Sequence, residues 1–196
     1  MSSMPCAETL FESFCESNSL SWERVPVQEN PTPDYVVLSN GQYIYFEIKQ
    51  IDEDDNFKTS GSISSRTVGA HIRQRITYSK KQIQVGAELG ALSILLVYNN
   101  LDPLQLFGTE QHDFIAAMYG EMTVELKHSR IVDSYHGRNS SLRHDQNTSF
   151  SAVGHLRQSV VGPSVRLYEN VFASNSLNTV LLPPCFEVVY VNVSNL

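Results

Sequence analysis

Residues 31–50 read PTPDYVVLSNGQYIYFEIKQ: two apolar and aromatic runs around a turn, interrupted by Asp34, Glu47 and Lys49. Asn40-Gly41 is the favoured two-residue type I′ turn, because both positions accept positive φ. With those residues as the turn, the register follows by counting. Ser39 faces Gln42, Leu38 faces Tyr43, Val37 faces Ile44, Val36 faces Tyr45, Tyr35 faces Phe46, and Asp34 faces Glu47. Directly opposed residues share a face of the sheet, and Lys49, two beyond Glu47, points the same way. Asp34, Glu47 and Lys49 therefore converge on one patch at the open end of the hairpin. The remaining hairpin is apolar on both faces, as in a central strand pair covered on two sides.

Two carboxylates at cross-strand distance repel each other unless positive charge stands between them. A hard divalent cation meets that need, and Mg²⁺ typically takes one or two carboxylates plus water and phosphate oxygens. A lysine alongside can orient or deprotonate the attacking water, or stabilise charge on a phosphate in the transition state. The patch is expected to be a metal-assisted hydrolytic site. Taken singly, Glu-x-Lys on a strand is a common surface ion pair and Pro-Asp a common turn start; the shared register and apolar flanks set this trio apart.

Outward from the hairpin, Leu10, Phe11, Phe14 and Cys15 at helical spacing predict a first helix over residues 6–17. SWERVPV predicts a short strand. After the polar stretch DEDDNFKTSGSISS, the positions Val68, Ile72, Ile76, Ile83 and Leu89 predict one long helix over 67–89, with Gly90 as its terminator. ALSILLVYNN reads as a fully buried strand, EQHDFIAAMYG as a helix and MTVEL as a strand. Residues 135–150 read as a long polar loop, followed by the β-like pieces SAVGHLRQSVV, SVRLYENV and CFEVVYVNV. The expected organisation is one α/β domain over 1–196, with a core at about 6–130 and a β-rich extension at about 131–196.

Hydrophobic content of 41 % supports a sizeable core, and no stretch approaches a membrane-spanning run. The N-terminus carries acids where a signal peptide has bases, and three cysteines lack metal-ligand spacing; both point to reduced thiols in the cytoplasm. The net charge of −7 speaks against a polyanionic partner, but its distribution is uneven. Residues 66–81 hold Arg66, Arg73, Arg75, Lys80 and Lys81 and no acid. On one continuous helix Arg73 and Lys80 nearly share a face, with Arg66 on or near the same line. Arg138 and Arg143, with His136 and His144, are further phosphate contacts offered by the polar loop. No Gly-rich phosphate loop, His-x₃-His pair or Gly-x-Ser-x-Gly elbow is present.

At Pro33-Asp34, the strand turn and Glu47-Ile48-Lys49, the chain resembles the PD-(D/E)XK nuclease superfamily, which includes restriction endonucleases and archaeal Holliday-junction resolvases. The acid-bearing helix before and the helix with a Lys-Gln pair after also match the family order, so the resemblance covers roughly residues 6–99. It implies a restriction-endonuclease-like αβββαβ core, a mixed sheet flanked by helices, with additional C-terminal β elements. It implies Mg²⁺- or Mn²⁺-dependent phosphodiester hydrolysis, with Asp34, Glu47 and Ile48 among the metal ligands and Lys49 as the catalytic lysine. A glutamate of the first helix would join them: Glu8, or Glu12 one turn on. Gln82 would approach the same centre from the helix that follows. The implied partner is nucleic acid, expected to be DNA, with a homodimer or protein partner left open and no membrane. Two alternatives stand beside this: a nuclease-fold protein that binds nucleic acid or protein without cutting, and a hydrolase of small phosphate esters.

Overall fold

The structure is a computed structural model and describes residues 6–52, 67–102, 104 and 107–191. Helix α1 (Cys6–Ser17) is followed by three antiparallel strands, β1 (Ser21–Arg24), β2 (Tyr35–Ser39) and β3 (Gln42–Ile51). Helices α2 (Ala70–Tyr78) and α3 (Lys80–Glu88) lead to β4 (Leu92–Asn99), which pairs parallel with β3. Helix α4 (Gln111–Tyr119) precedes a separate two-stranded sheet of β5 (Met122–Lys127) and β6 (Arg130–His136). Strands β7 (Ala152–Ser159), β8 (Gly162–Glu169) and β9 (Phe186–Val189) complete a seven-stranded sheet in the order β1-β2-β3-β4-β7-β8-β9. The fold is mixed α/β, with helices on both faces of a mixed sheet. Because β7 pairs parallel with β4, the C-terminal strands continue the same sheet. Among the described residues no helix is long and apolar enough to cross a membrane.

The hairpin register is the one obtained by counting: Tyr35 to Ser39 pair with Phe46 to Gln42 in that order. Asn40 (φ 48°) and Gly41 (φ 76°) both adopt the left-handed conformation that a type I′ turn requires. On one face Phe11 packs 5.0 Å from the Tyr35 ring and 5.1 Å from Phe46, while Phe14 meets Phe186 edge-on. On the other, Ile72, Ile76, Ile83 and Phe114 from the three later helices cover Leu95, Val97 and Val153. Strand β4 is buried along its whole length, as its apolar run requires. The expectation that both hairpin faces are covered fails near the turn, where Leu38 and Tyr43 are 44 % and 57 % exposed. The turn end of the hairpin runs beyond the helices.

Three other expectations are corrected. The strand expected over SWERVPV is shorter and stops at Arg24. The single helix over 67–89 is two helices, broken at Ser79, whose φ −93° and ψ 0° lie outside the helical region. The loop expected at 135–150 begins later, because Arg130–His136 pairs with Met122–Lys127 around His128 and Ser129, both at positive φ.

Helix α3 lies close on β3 and β4 because its buried position facing them is Gly86. A Cβ there would come within 2.9 Å of the Tyr45 Cβ and press on the Ser93 hydroxyl. Gly86→Ala should therefore force α3 off the sheet and lower stability by about 1–3 kcal/mol, read as the shift in a urea unfolding midpoint at unchanged slope.

Candidate active site

Strand β2 begins at Tyr35, whereas β3 runs on to Ile51 beside β4. The stretch Glu47–Ile51 therefore has β4 on one edge and no paired strand on the other, where Arg75 takes the Gln50 carbonyl at 3.0 Å. Asp34 sits at the start of that unpaired edge. Its N–H donates to the Phe46 carbonyl (3.0 Å), and its Oδ2 accepts the Ile48 N–H at 2.7 Å. Main chain and side chain together hold the carboxylate in place. In a strand the N–H and C=O of one residue leave on the same side, so the Ile48 carbonyl also points toward the Asp34 side. That carbonyl is the only ligand atom Ile48 can offer a cation, since its side chain is a hydrocarbon packed in the core.

Glu47 is 1 % exposed, and its Oε1 lies 2.5 Å from the Lys49 Nζ. Its Oε2 is buried with no hydrogen-bond partner. Burial, and after it the neighbouring Asp34 carboxylate, push the Glu47 carboxyl up to about 7 against the downward pull of Lys49. Lys49 thus lies against Glu47 and the Asp34 carboxylate acts on it from nearby, although the ladder ends at Tyr35–Phe46 and does not include the expected Asp34–Glu47 pair.

Helix α1 seats its first turn over the same end of β3, where the Ala7 N–H donates to the Gln50 side chain at 3.0 Å. This places Glu8 on a cleft of about 670 Å³ that it shares with Arg24, Asp34, Tyr35, Gln82 and the segment 25–33. Glu12, the alternative acid, is engaged elsewhere: its Oε1 accepts from Arg24 Nε (2.6 Å) and from the Tyr35 hydroxyl (2.9 Å). Of the two glutamates, Glu8 is the one that reaches the cleft. Its carboxylate is turned to Arg24, with Nη1 at 3.2 Å from Oε2. It does not close on Asp34 and Glu47. Among the described residues only Glu110, His112 and Asp113 bring three potential metal donors within 4.8 Å of one another. That trio serves the start of α4: the Asp113 carboxylate accepts the Gly69 N–H (3.0 Å) and the Glu110 N–H (3.2 Å).

No protein-family model, curated protein or solved structure matches the chain.

The basic residues divide. Arg66 lies outside the described residues. Arg73 donates to the carbonyls of Ala116 (2.9 Å) and Val68 (2.5 Å), and burial lowers its pKa. It fastens α2 to α4, and the helix break removes the expected shared face with Lys80. Arg75 is likewise tied, to the Gln50 carbonyl at 3.0 Å. Lys80 and Lys81 open α3 directly before Gln82, Lys80 half-buried and Lys81 exposed. Arg143 pairs with Asp145 (3.3 Å) and Gln146 (2.6 Å) and lines a hollow with Tyr119, His144 and Phe172 that shares no residue with the cleft. Arg138 is exposed in the same loop. Arg24 is a site residue that sequence alone did not indicate, since its two glutamate partners lie 12 and 16 residues away. The one signal was its place at the strand end, opposite the start of the hairpin.

The raised Glu47 carboxyl has a thermodynamic consequence. The folded protein holds that proton more tightly than the unfolded chain, so the contribution is complete below about pH 4.5 and lost as pH rises through about 7. Its size is roughly 3 kcal/mol. His155 acts with the opposite sign, because burial, reinforced by Arg157 and Arg166, lowers its pKa to about 3. The difference between wild type and Glu47→Gln isolates the glutamate. In chelator, Glu47→Gln should gain stability relative to wild type between about pH 5 and 8, measured by urea unfolding at each pH.

Proposed function

We propose that the chain is a divalent-metal-dependent nuclease of the PD-(D/E)XK, restriction-endonuclease-like kind, acting on DNA. The observation that carries this reading is the buried, partnerless Oε2 of Glu47 beside the anchored Asp34 carboxylate. Such a pair is stable only with a shared proton or a cation between its members, and oxygen donors of this kind suit Mg²⁺ or Mn²⁺. Asp34, Glu47 and the Ile48 carbonyl would hold the ion, and Glu8, which lines the same cleft as Asp34, would join on leaving Arg24. The order α1-β1-β2-β3-α2-α3-β4 supports the same reading, with the helix of the αβββαβ pattern divided in two.

Bound there, the cation would neutralise charge developing on the scissile phosphate. The protein's own groups do the rest. Lys49, held against Glu47 with its side chain 29 % exposed, presents an ammonium at the edge of the site, where it can orient water and stabilise phosphate charge. Gln82 offers an amide from the other wall of the cleft. Lys80 and Lys81, on the same first turn of α3, would meet the phosphate backbone.

The pairing of Glu8 with Arg24, away from Asp34 and Glu47, favours a second reading: a nuclease-fold protein that binds nucleic acid or protein without cutting. Nicking of supercoiled plasmid in Mg²⁺ or Mn²⁺, abolished by chelator, separates the two. Asp34→Asn keeps the acceptor for the Ile48 N–H but removes the charge, and should abolish both metal binding by calorimetry and nicking. Lys49→Ala should leave metal affinity within a fewfold and slow turnover by about 100-fold or more, since a lysine donates and does not ligate. Equal loss of metal affinity in both variants would contradict these roles. Lys80→Ala with Lys81→Ala should flatten the plot of log DNA affinity against log salt by about 0.9 for each phosphate no longer neutralised, with Ca²⁺ replacing Mg²⁺ to suppress cleavage.

A further inference from the structure

Arg24 joins two acids of unequal standing. Its Nε and Nη2 both reach Glu12 Oε1, at 2.6 and 2.5 Å, and Glu12 is fixed in turn by the Tyr35 hydroxyl. The guanidinium also lies over the Tyr35 ring, 5.3 Å from its centroid. Glu12, Tyr35 and the end of β1 thus anchor Arg24 from one side. On the other side Nη1 holds Glu8 at 3.2 Å, the longer contact and the more exposed carboxylate of the two. Glu8 and Arg24 line the cleft together with Asp34 and Gln82, and Glu12 does not. A guanidinium binds phosphate with the same forked geometry as carboxylate. A phosphate entering the cleft therefore competes with Glu8 for one arm of Arg24, while the contacts to Glu12 keep the residue in place.

We propose that Arg24 is a carboxylate-for-phosphate exchange residue: in the free protein it holds Glu8 away from the Asp34–Glu47 pair, and a nucleic-acid phosphate takes that arm and releases Glu8 to the cation. The inference rests on the nuclease reading and goes beyond it in coupling substrate to metal. Because such coupling is reciprocal, the phosphate tightens cation binding by the factor by which the cation tightens phosphate binding.

The experiment is calorimetric titration of the full chain with Ca²⁺, with and without a DNA duplex of about 20 base pairs. The proteins compared are wild type, Arg24→Gln, Glu8→Gln and the double variant, with Asp34→Asn as reference. In wild type the duplex should raise Ca²⁺ affinity by about fivefold or more. Arg24→Gln should bind Ca²⁺ more tightly than wild type without DNA and gain little when duplex is added. In the Glu8→Gln background, Arg24→Gln should change nothing, since the effect runs through Glu8. Glu8→Gln sits on a half-exposed helix face and leaves the Arg24–Glu12 pair intact, so it reports even where Arg24→Gln disturbs the end of β1. An equal gain from Arg24→Gln with or without Glu8 would show simple charge repulsion and overturn the proposal. So would a wild-type Ca²⁺ affinity indifferent to duplex. If Asp34→Asn binds Ca²⁺ as wild type does, the nuclease reading itself falls and takes this inference with it; if Asp34→Asn loses Ca²⁺ while the double-variant comparison shows no coupling, only the inference falls.

Discussion

A buried carboxyl with a second carboxylate beside it and one oxygen unpartnered is the constraint on which the rest of this structure bears. Glu47 lies opposite Leu95 on a strand buried along its whole length, so water is excluded from one side of it. Lys49 relieves one oxygen and leaves the other. Asp34 cannot swing away to lessen the repulsion, because the Ile48 N–H holds it. Two responses remain to a pair held in this way: a proton on Glu47, or a cation between the carboxylates. They compete for the same oxygens, and a fold that only needed stability would be served by an apolar residue at position 47.

The opening around that pair comes from unequal strand lengths. The hairpin partner of β3 ends its pairing at Phe46, while the parallel partner continues to Ile51. At that point the chain has left the sheet through residues 25–33, which form a wall of the cleft. Helix α1 closes the floor through Ala7 and Gln50, and α3 brings Gln82 to the rim by packing its Gly86 against Tyr45 and Ser93. The site is thus an overhang at the C-terminal end of β3, furnished by the two helices that cover opposite faces of the sheet. The aromatic contacts of Phe11 and Phe14 and the aliphatic contacts of Ile72, Ile76 and Ile83 hold those helices in position, linking core packing to site geometry.

The hairpin could be read from sequence because its information is local. Asn40-Gly41 sets the turn and the period of two sets the faces as far as Tyr35 and Phe46; beyond them the counted pairing of Asp34 with Glu47 gives way to an Asp34 N–H bond to the Phe46 carbonyl. What stayed hidden has equally physical reasons. Ile72, Ile76 and Ile83 keep helical spacing through the break at Ser79, so the periodic signal passes over it. The β5–β6 hairpin turns at His128 and Ser129, neither of them glycine or asparagine, and exposes Leu126, Ile131 and Val132, which blurs the alternation. Arg73 reads as one base among five, yet its burial depends on a carbonyl 43 residues away. Arg24 is the same case at the site itself: two glutamates on another element decide what it does.

Charge sets the condition under which an acidic chain of −7 could receive the proposed polyanion. The cleft lining holds Glu8, Glu29 and Asp34 against a single described cation, Arg24, and Arg24 is occupied by carboxylates. Left so, the cleft repels a phosphate. A divalent cation held by Asp34 and Glu47 would reverse the local sign, and the lysines that open α3 beside Gln82 would add to the positive field. On the exchange proposed for Arg24, such a cation would draw Glu8 inward, and withdrawal of Glu8 would free the guanidinium arm for a phosphate. Under that proposal metal and substrate would each lower the obstacle to the other, and the acidity that first argues against nucleic acid would make its binding depend on metal.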